Sequence, residues 1–396
     1  MKKFLLLLFV LTFSIFTLAA CNGNGDADDN GDAGSEVETD AGDDADAGDD
    51  ADAGDDADVG DDADAAGAGS VGVSMPSMSL ERWERDGTNI ASNLEALGFE
   101  VDLQFGQDDV SVQISQIENM ITNEVDILVI APIDGETMTE VLDLAHAQGI
   151  HVIAYDRLIM NSEHVSYYVT FDNFHVGVTQ GQFLVDQLGL GDDAGPFNIE
   201  LFAGSPDDNN ALFFFDGAMS ILESYIDSGD LVVTSGQTEF TQIAIPGWQS
   251  ADAQIRMDDL LSAHYTDTEL HAVLSPNDSL ALGIVSSLES LGFGDTLEMP
   301  LITGQDGDLA NVRSILAGGQ SMSVFKDTRV LADAATRMVQ EILDGETVTV
   351  NDTETYDNNV RVVPTYLSDV ITITADNVYE VLVESGFYTA EELGLD

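Results

Sequence analysis

His151-Val152-Ile153-Ala154-Tyr155 is an apolar run that ends abruptly in Asp156-Arg157. A run this short, continuously hydrophobic and closed by charged residues, reads as a strand buried on both faces of a parallel sheet. The same signature recurs at 71–75, 125–131, 197–202, 271–274, 301–303 and 322–325, bounded by Gly, Pro, Asp or Asn. Amphipathic stretches separate the runs. Ile114, Ile117 and Ile121 repeat at helical spacing, Leu94 and Leu97 precede Gly98, and Gly149 closes the next stretch as a C-terminal cap would. Strand and helix alternating in units of about 25–30 residues predict an α/β protein of doubly wound parallel sheets. The 326 residues from Val71 to Asp396 exceed one ordinary core and predict two such lobes.

In doubly wound sheets, ligands collect beyond the carboxyl ends of the strands. Here those ends are polar. Tyr155 is followed by Asp156-Arg157, Phe202 by a loop holding Asp207-Asp208-Asn209-Asn210, Leu274 by Ser275-Pro276-Asn277-Asp278, Thr303 by Gly304-Gln305-Asp306, and Phe325 by Lys326. Taken singly, each is a good turn or helix cap. Five in series predict one shared site. Lys326 is the only lysine beyond residue 3, in a chain with 11 basic and 74 acidic groups and a net charge of −63. Its retention at a strand end predicts a buried site for a polar ligand. Carboxylates, carboxamides, guanidinium and ammonium together match a polyhydroxylated molecule, whose hydroxyls both donate and accept. The two tryptophans, Trp83 after Arg82 and Trp248 after Ile245-Pro246-Gly247, could cover the apolar face of a sugar ring. Read alone, both fit core packing equally well.

The N-terminus opens Met1-Lys2-Lys3, continues as a short apolar run and reaches Leu18-Ala19-Ala20-Cys21. Positive charges, a short hydrophobic core and small residues form a secretory signal over 1–21, too short for a comfortable membrane span. Cys21 is the sole cysteine and excludes an internal disulfide. Residues 22–70 are Asp, Gly and Ala with almost no apolar bulk, and repeat Asp-Ala-Gly-Asp-Asp-Ala from Asp40. That composition predicts a disordered, extended acidic tether. The remainder stays strongly acidic, which excludes nucleic acid as a partner and suggests a salt-rich habitat that screens the self-repulsion.

Several stretches carry a resemblance: Leu80-Glu81-Arg82-Trp83, Ser115-Gln116-Ile117-Glu118-Asn119-Met120, Ile153-Ala154-Tyr155-Asp156-Arg157, Phe171-Asp172-Asn173, the 204–210 loop, Gly304-Gln305-Asp306 and Phe325-Lys326. In that order they resemble the periplasmic sugar-binding proteins of ABC importers, in the xylose-binding and multiple-sugar-binding group. Val165-Ser166-Tyr167-Tyr168 and 196–202 are most similar to the multiple-sugar receptors, while Asn277 follows the xylose-binding pattern. Leu18-Ala19-Ala20-Cys21 similarly resembles a lipobox, which implies that Cys21 is acylated and anchors the chain to a membrane.

The resemblance implies a type I periplasmic binding protein: two doubly wound lobes joined by three crossings, near Asp172-Asn173, Phe325-Lys326 and Pro364. The N-terminal lobe would comprise 71–172 and 326–363, the C-terminal lobe 173–325 and 364–396. Arg82, Asp156 and Arg157 would contact a monosaccharide such as xylose, glucose, galactose or arabinose from one lobe. Asp208, Asn210, Asn277 and Asp306 would do so from the other, with Lys326 at the hinge and Trp83 and Trp248 over the ring. The expected partners are an ABC permease or, as a sensor, a chemoreceptor or sensor kinase; no cofactor and no metal are expected. The rival reading is an enzyme acting on sugars with Asp156 or Asp208 as acid or base, but paired carboxylates occur in sugar-binding clefts as well as in glycosidases, and no phosphate loop supports kinase chemistry.

Overall fold

The computed structural model describes residues 68–191 and 195–395. The signal, Cys21 and the tether up to residue 67 lie outside the described residues. Ser70, assigned above to the tether, already opens the first strand and donates its backbone N–H to Asp126 at 2.8 Å.

Strands β1 (Ser70–Met75), β2 (Glu100–Phe105), β3 (Ile127–Ile130), β4 (His151–Tyr155) and β5 (Tyr167–Phe171) form the first lobe. With β12 (Thr365–Ser368) they make a six-stranded sheet in the order β12-β5-β4-β3-β1-β2, every pair parallel. The second lobe holds β6 (Phe197–Leu201), β7 (Leu231–Val233), β8 (Ala272–Leu274) and β9 (Leu301–Ile302) in the order β7-β6-β8-β9. A three-stranded sheet follows there: β10 (Gln305–Asp306), β11 (Ser323–Phe325) and the antiparallel β13 (Ile371–Ile373). Both lobes place their first strand inside their second. The order therefore reverses at β1/β3 and again at β6/β8, the positions where such sheets open a crevice.

Sequence alternation explains the layering. Ile127 and Val129 enter one apolar cluster with Val71, Val73 and Ile153; Leu128 and Ile130 enter another with Val152 and Ala154. β3 and β4 are thus buried on both faces, and each fully buried Val, Leu or Ile side chain contributes about 1.5–3 kcal/mol. Helices Glu81–Ala96 and Thr328–Leu343 cover one face of the first sheet, and Val110–Thr122 and Thr139–Ala147 the other.

The chain crosses between lobes at Asp172, which caps helix Asn173–Leu188, and at Lys326-Asp327, which leads into helix Thr328–Leu343. The third crossing falls at Asp369-Val370, not near Pro364. Residues Thr365–Ser368 pair with β5 and belong to the first lobe, because the sheet gains an edge strand there before the chain leaves it.

Candidate ligand-binding cavity

Between the lobes lies a narrow cavity. All ten side chains named from the sequence line it: Arg82, Trp83, Asp156, Arg157, Asp208, Asn210, Trp248, Asn277, Asp306 and Lys326. Leu80, Phe214 and Gln305 complete the wall. Gln305 belongs to the polar strand end Gly304-Gln305-Asp306. Phe214 lies in Phe213-Phe214-Phe215, a run that reads as core.

Local structure fixes each group. Arg82 and Trp83 open helix Glu81–Ala96. Asp208 and Asn277 cap helices Asn209–Ser228 and Asp278–Ser290, accepting from the backbone N–H of Asn210 and Leu280 at 3.0 Å each. Cap and cavity wall are therefore one residue in both cases. Asp156, Trp248 and Asp306 have φ of +58°, +56° and +102°, a region unfavourable to side chains that clusters at functional sites. Gly204 makes room for one of them: a Cβ there would stand 1.9 Å from Cη2 of Trp248.

The charges are balanced. Three cations (Arg82, Arg157, Lys326) face three carboxylates (Asp156, Asp208, Asp306). Arg82 reaches Asp156 at 2.8 Å, Asp86 at 3.1 Å and, across the cleft, Asp306 at 3.3 Å. Arg157 pairs across the cleft with Asp208 at 3.0 Å, and its Nη1 donates to the carbonyls of Pro132 and Ile133. Burial alone would raise the Asp156 carboxyl, but Arg82, Lys326 and Arg157 together hold it below its ordinary value. Burial dominates at Asp208 and pushes it up, against the pull of Arg157. Burial likewise lowers the Lys326 ammonium, opposed by Asp156 and Asp306.

Asp86, absent from the sequence reading, underlies Arg82. It is fully buried, accepts from Nε and Nη2 of Arg82 at 3.2 and 3.1 Å, and accepts from the Tyr155 hydroxyl. No sequence pattern marks it, since it sits mid-helix among polar residues.

The cavity wall also has unmet hydrogen-bonding capacity. Among the described residues, the indole N–H of Trp83, that of Trp248 and Oε1 of Gln305 are buried without a partner. Each such group costs about 1–3 kcal/mol unless a ligand or water meets it. The Lys326 ammonium stands 3.9 Å from Asp306 and lies over Phe214 and Phe171 at 4.8 and 5.5 Å, so its donors are not saturated by carboxylate. Asn210 is more committed. Its oxygen accepts from Asn173 at 3.0 Å and its amide donates to the Asp156 carbonyl at 2.7 Å, leaving one N–H.

A periplasmic binding protein domain matches residues 71–347. The chain belongs to the periplasmic binding protein family. This binding protein is 54% identical over 330 residues to the multiple sugar-binding periplasmic receptor ChvE of Rhizobium radiobacter, covering 83% of this chain and 93% of the receptor. It is 34% identical over 323 residues to the D-xylose-binding periplasmic protein of Escherichia coli, covering 82% and 92%. An ABC transporter solute-binding protein from Clostridium phytofermentans, solved with bound β-D-glucose, superposes with a TM-score of 0.80 at 50% identity, covering 82% of this chain and 99% of that one. These relatives are solute-binding receptors, and this chain is a receptor of the sugar-binding group, not an enzyme. Among the described residues, no helix of this binding protein is long and apolar enough to cross a membrane.

Proposed function

We propose that the protein is a lipid-anchored, extracytoplasmic receptor that closes around one aldose monosaccharide and hands it to an ABC permease. The observation that carries this reading is a small cavity lined by three cation–carboxylate partners whose unpartnered donors and acceptor include both indole N–H groups. A charge-balanced wall disfavours ionic solutes and suits a neutral polyol. Arg82, Asp156, Arg157, Asp208, Asn210, Asn277, Asp306 and Lys326 would engage hydroxyls, and Trp83 and Trp248 would cover ring faces. The relatives that bind several sugars and D-xylose, together with the glucose-bound neighbour, make glucose and xylose the first ligands to test. A sugar touching both lobes favours the closed form by its differential affinity, and the closed surface is what a membrane partner would read.

Titration of the full chain with glucose, galactose, xylose and arabinose should shift tryptophan emission and raise the melting temperature. A spectrum and a melt indifferent to all of them would sink the assignment. Because the chain carries −63, melting in molar salt should exceed melting in low salt by screening of self-repulsion. Equal melts would remove the salt-rich habitat from the proposal. Radiolabelled lipid incorporated into the parent but not into Cys21→Ser would establish the anchor.

A further inference from the structure

A second set of contacts crosses the cleft outside the cavity. Arg85 lies one turn beyond Arg82 on helix Glu81–Ala96 of the first lobe. Its Nη1 donates to the Tyr388 hydroxyl of the second lobe at 2.7 Å, and Tyr388 in turn donates to the Gly307 carbonyl at 3.0 Å. The guanidinium lies over the rings of Tyr388 and Phe387 at 4.6 and 5.0 Å. Arg329, also in the first lobe, lies over Phe387 at 5.1 Å and donates to the Ser385 carbonyl at 3.1 Å. Neighbouring arginines of one helix thus hold neighbouring residues of one loop: Arg82 grips the side chain of Asp306, and Arg85 grips Gly307 through Tyr388.

We infer that Arg85 and Tyr388 are positioning residues that set the closing equilibrium, and so scale affinity for every sugar by one common factor. The inference rests on the proposed coupling of sugar binding to lobe closure. Neither residue lines the cavity, so neither discriminates one sugar from another. The contacts from Arg85 to Tyr388 and Phe387 join the two lobes, whereas the Tyr388–Gly307 bond lies within the second. Apparent affinity falls by the fraction of molecules that can close, and that fraction is common to all ligands. Aromatic and guanidinium groups suit this task because their cation–π attraction survives partial exposure; the Arg85 side chain is 30% exposed while Tyr388 is buried.

The test uses Tyr388→Phe, which keeps the ring and removes only the hydroxyl, and Arg85→Gln, which removes the charge and keeps a polar side chain. Both should weaken glucose and xylose equally, by roughly fivefold to tenfold, as loss of a hydrogen bond with some cation–π support implies. In the absence of sugar, acrylamide should quench Trp83 and Trp248 more readily in both variants, because a more open cleft admits water. Unchanged affinity, or a change confined to one sugar, would overturn the inference. If the parent binds no sugar, the proposed function falls, and the sugar-free quenching still decides: higher in the variants supports the clasp, equal quenching removes it.

Discussion

In the first lobe, β5-β4-β3-β1-β2 run side by side without a break, whereas in the second the sheet parts between β9 and β10. The break has a local cause. At Gly304 the place of a Cβ is taken by Oδ1 of Asp278 at 2.2 Å and Nε2 of Gln320 at 2.4 Å. Asp278 is fully buried and accepts from the backbone N–H of Gly307 and Asp308 at 2.9 and 3.0 Å, from Gln320 at 2.8 Å and from Ser323. Burial raises its carboxyl to about 7, with Asp306 adding to the rise. A polar knot therefore interrupts the pairing and turns Gln305 and Asp306 toward the cavity. The first lobe presents cations from a helix start and a strand end on a continuous sheet. The second presents carboxylates and amides from caps and an interrupted one. The halves are complementary where they meet, Arg82 with Asp306 and Arg157 with Asp208.

That contrast predicts unequal damage from each side. Arg82→Ala should act most strongly, because it leaves Asp86, Asp156 and Asp306 without their shared partner. Breaking a buried pair this way costs about 3–5 kcal/mol of stability, and calorimetry should detect no sugar binding at all. Parent-like binding would mean that the first lobe's cation is not the anchor. Gly304→Ala tests the other half. The added methyl collides with the Asp278 knot and should cost about 1–3 kcal/mol in denaturant unfolding. Sugar affinity should fall as well, though less than for Arg82→Ala. A variant that binds normally would show that the interruption is incidental.

The smallest effect concerns pH. Burial holds the Asp86 carboxyl up to about 6 against 3.8 in the unfolded chain, although Arg82 pulls it down. Between those values the folded form carries the additional proton. This group's contribution to stability is therefore full below the unfolded value and declines as pH rises toward about 6. Affinity should move the other way, because ionised Asp86 holds Arg82 in place: binding tightens as pH rises through about 6. Asp86→Asn should flatten both profiles and fix affinity near the low-pH level. A variant that retains the parent's slope would assign it to another group.

How much was legible depends on burial. The runs at 125–131, 151–155 and 271–274 announce themselves because both faces are covered, so apolar character is continuous. Strand β2, Glu-Val-Asp-Leu-Gln-Phe, lies at the edge of its sheet and is nowhere fully buried; its alternation gave no comparable signal. The four-residue β12 and three-residue β13, at the edges of their sheets, were invisible for the same reason, which is why the last crossing was placed near Pro364. The cavity residues were named from their place at strand ends and from the resemblance. Asp86 and Tyr388 were not, because their importance lies in whom they touch.

Local composition alone determined where the buried strands run, which ends are polar, how acidic the chain is and that one lysine is singular, since these follow from the solvation preferences of nearby residues. Only the tertiary structure decided that Arg82, set 224 residues away from Asp306, meets it across a cleft, and that a buried carboxyl breaks a sheet to make this possible. Such contacts depend on how separate stretches pack, and no single stretch encodes its partner.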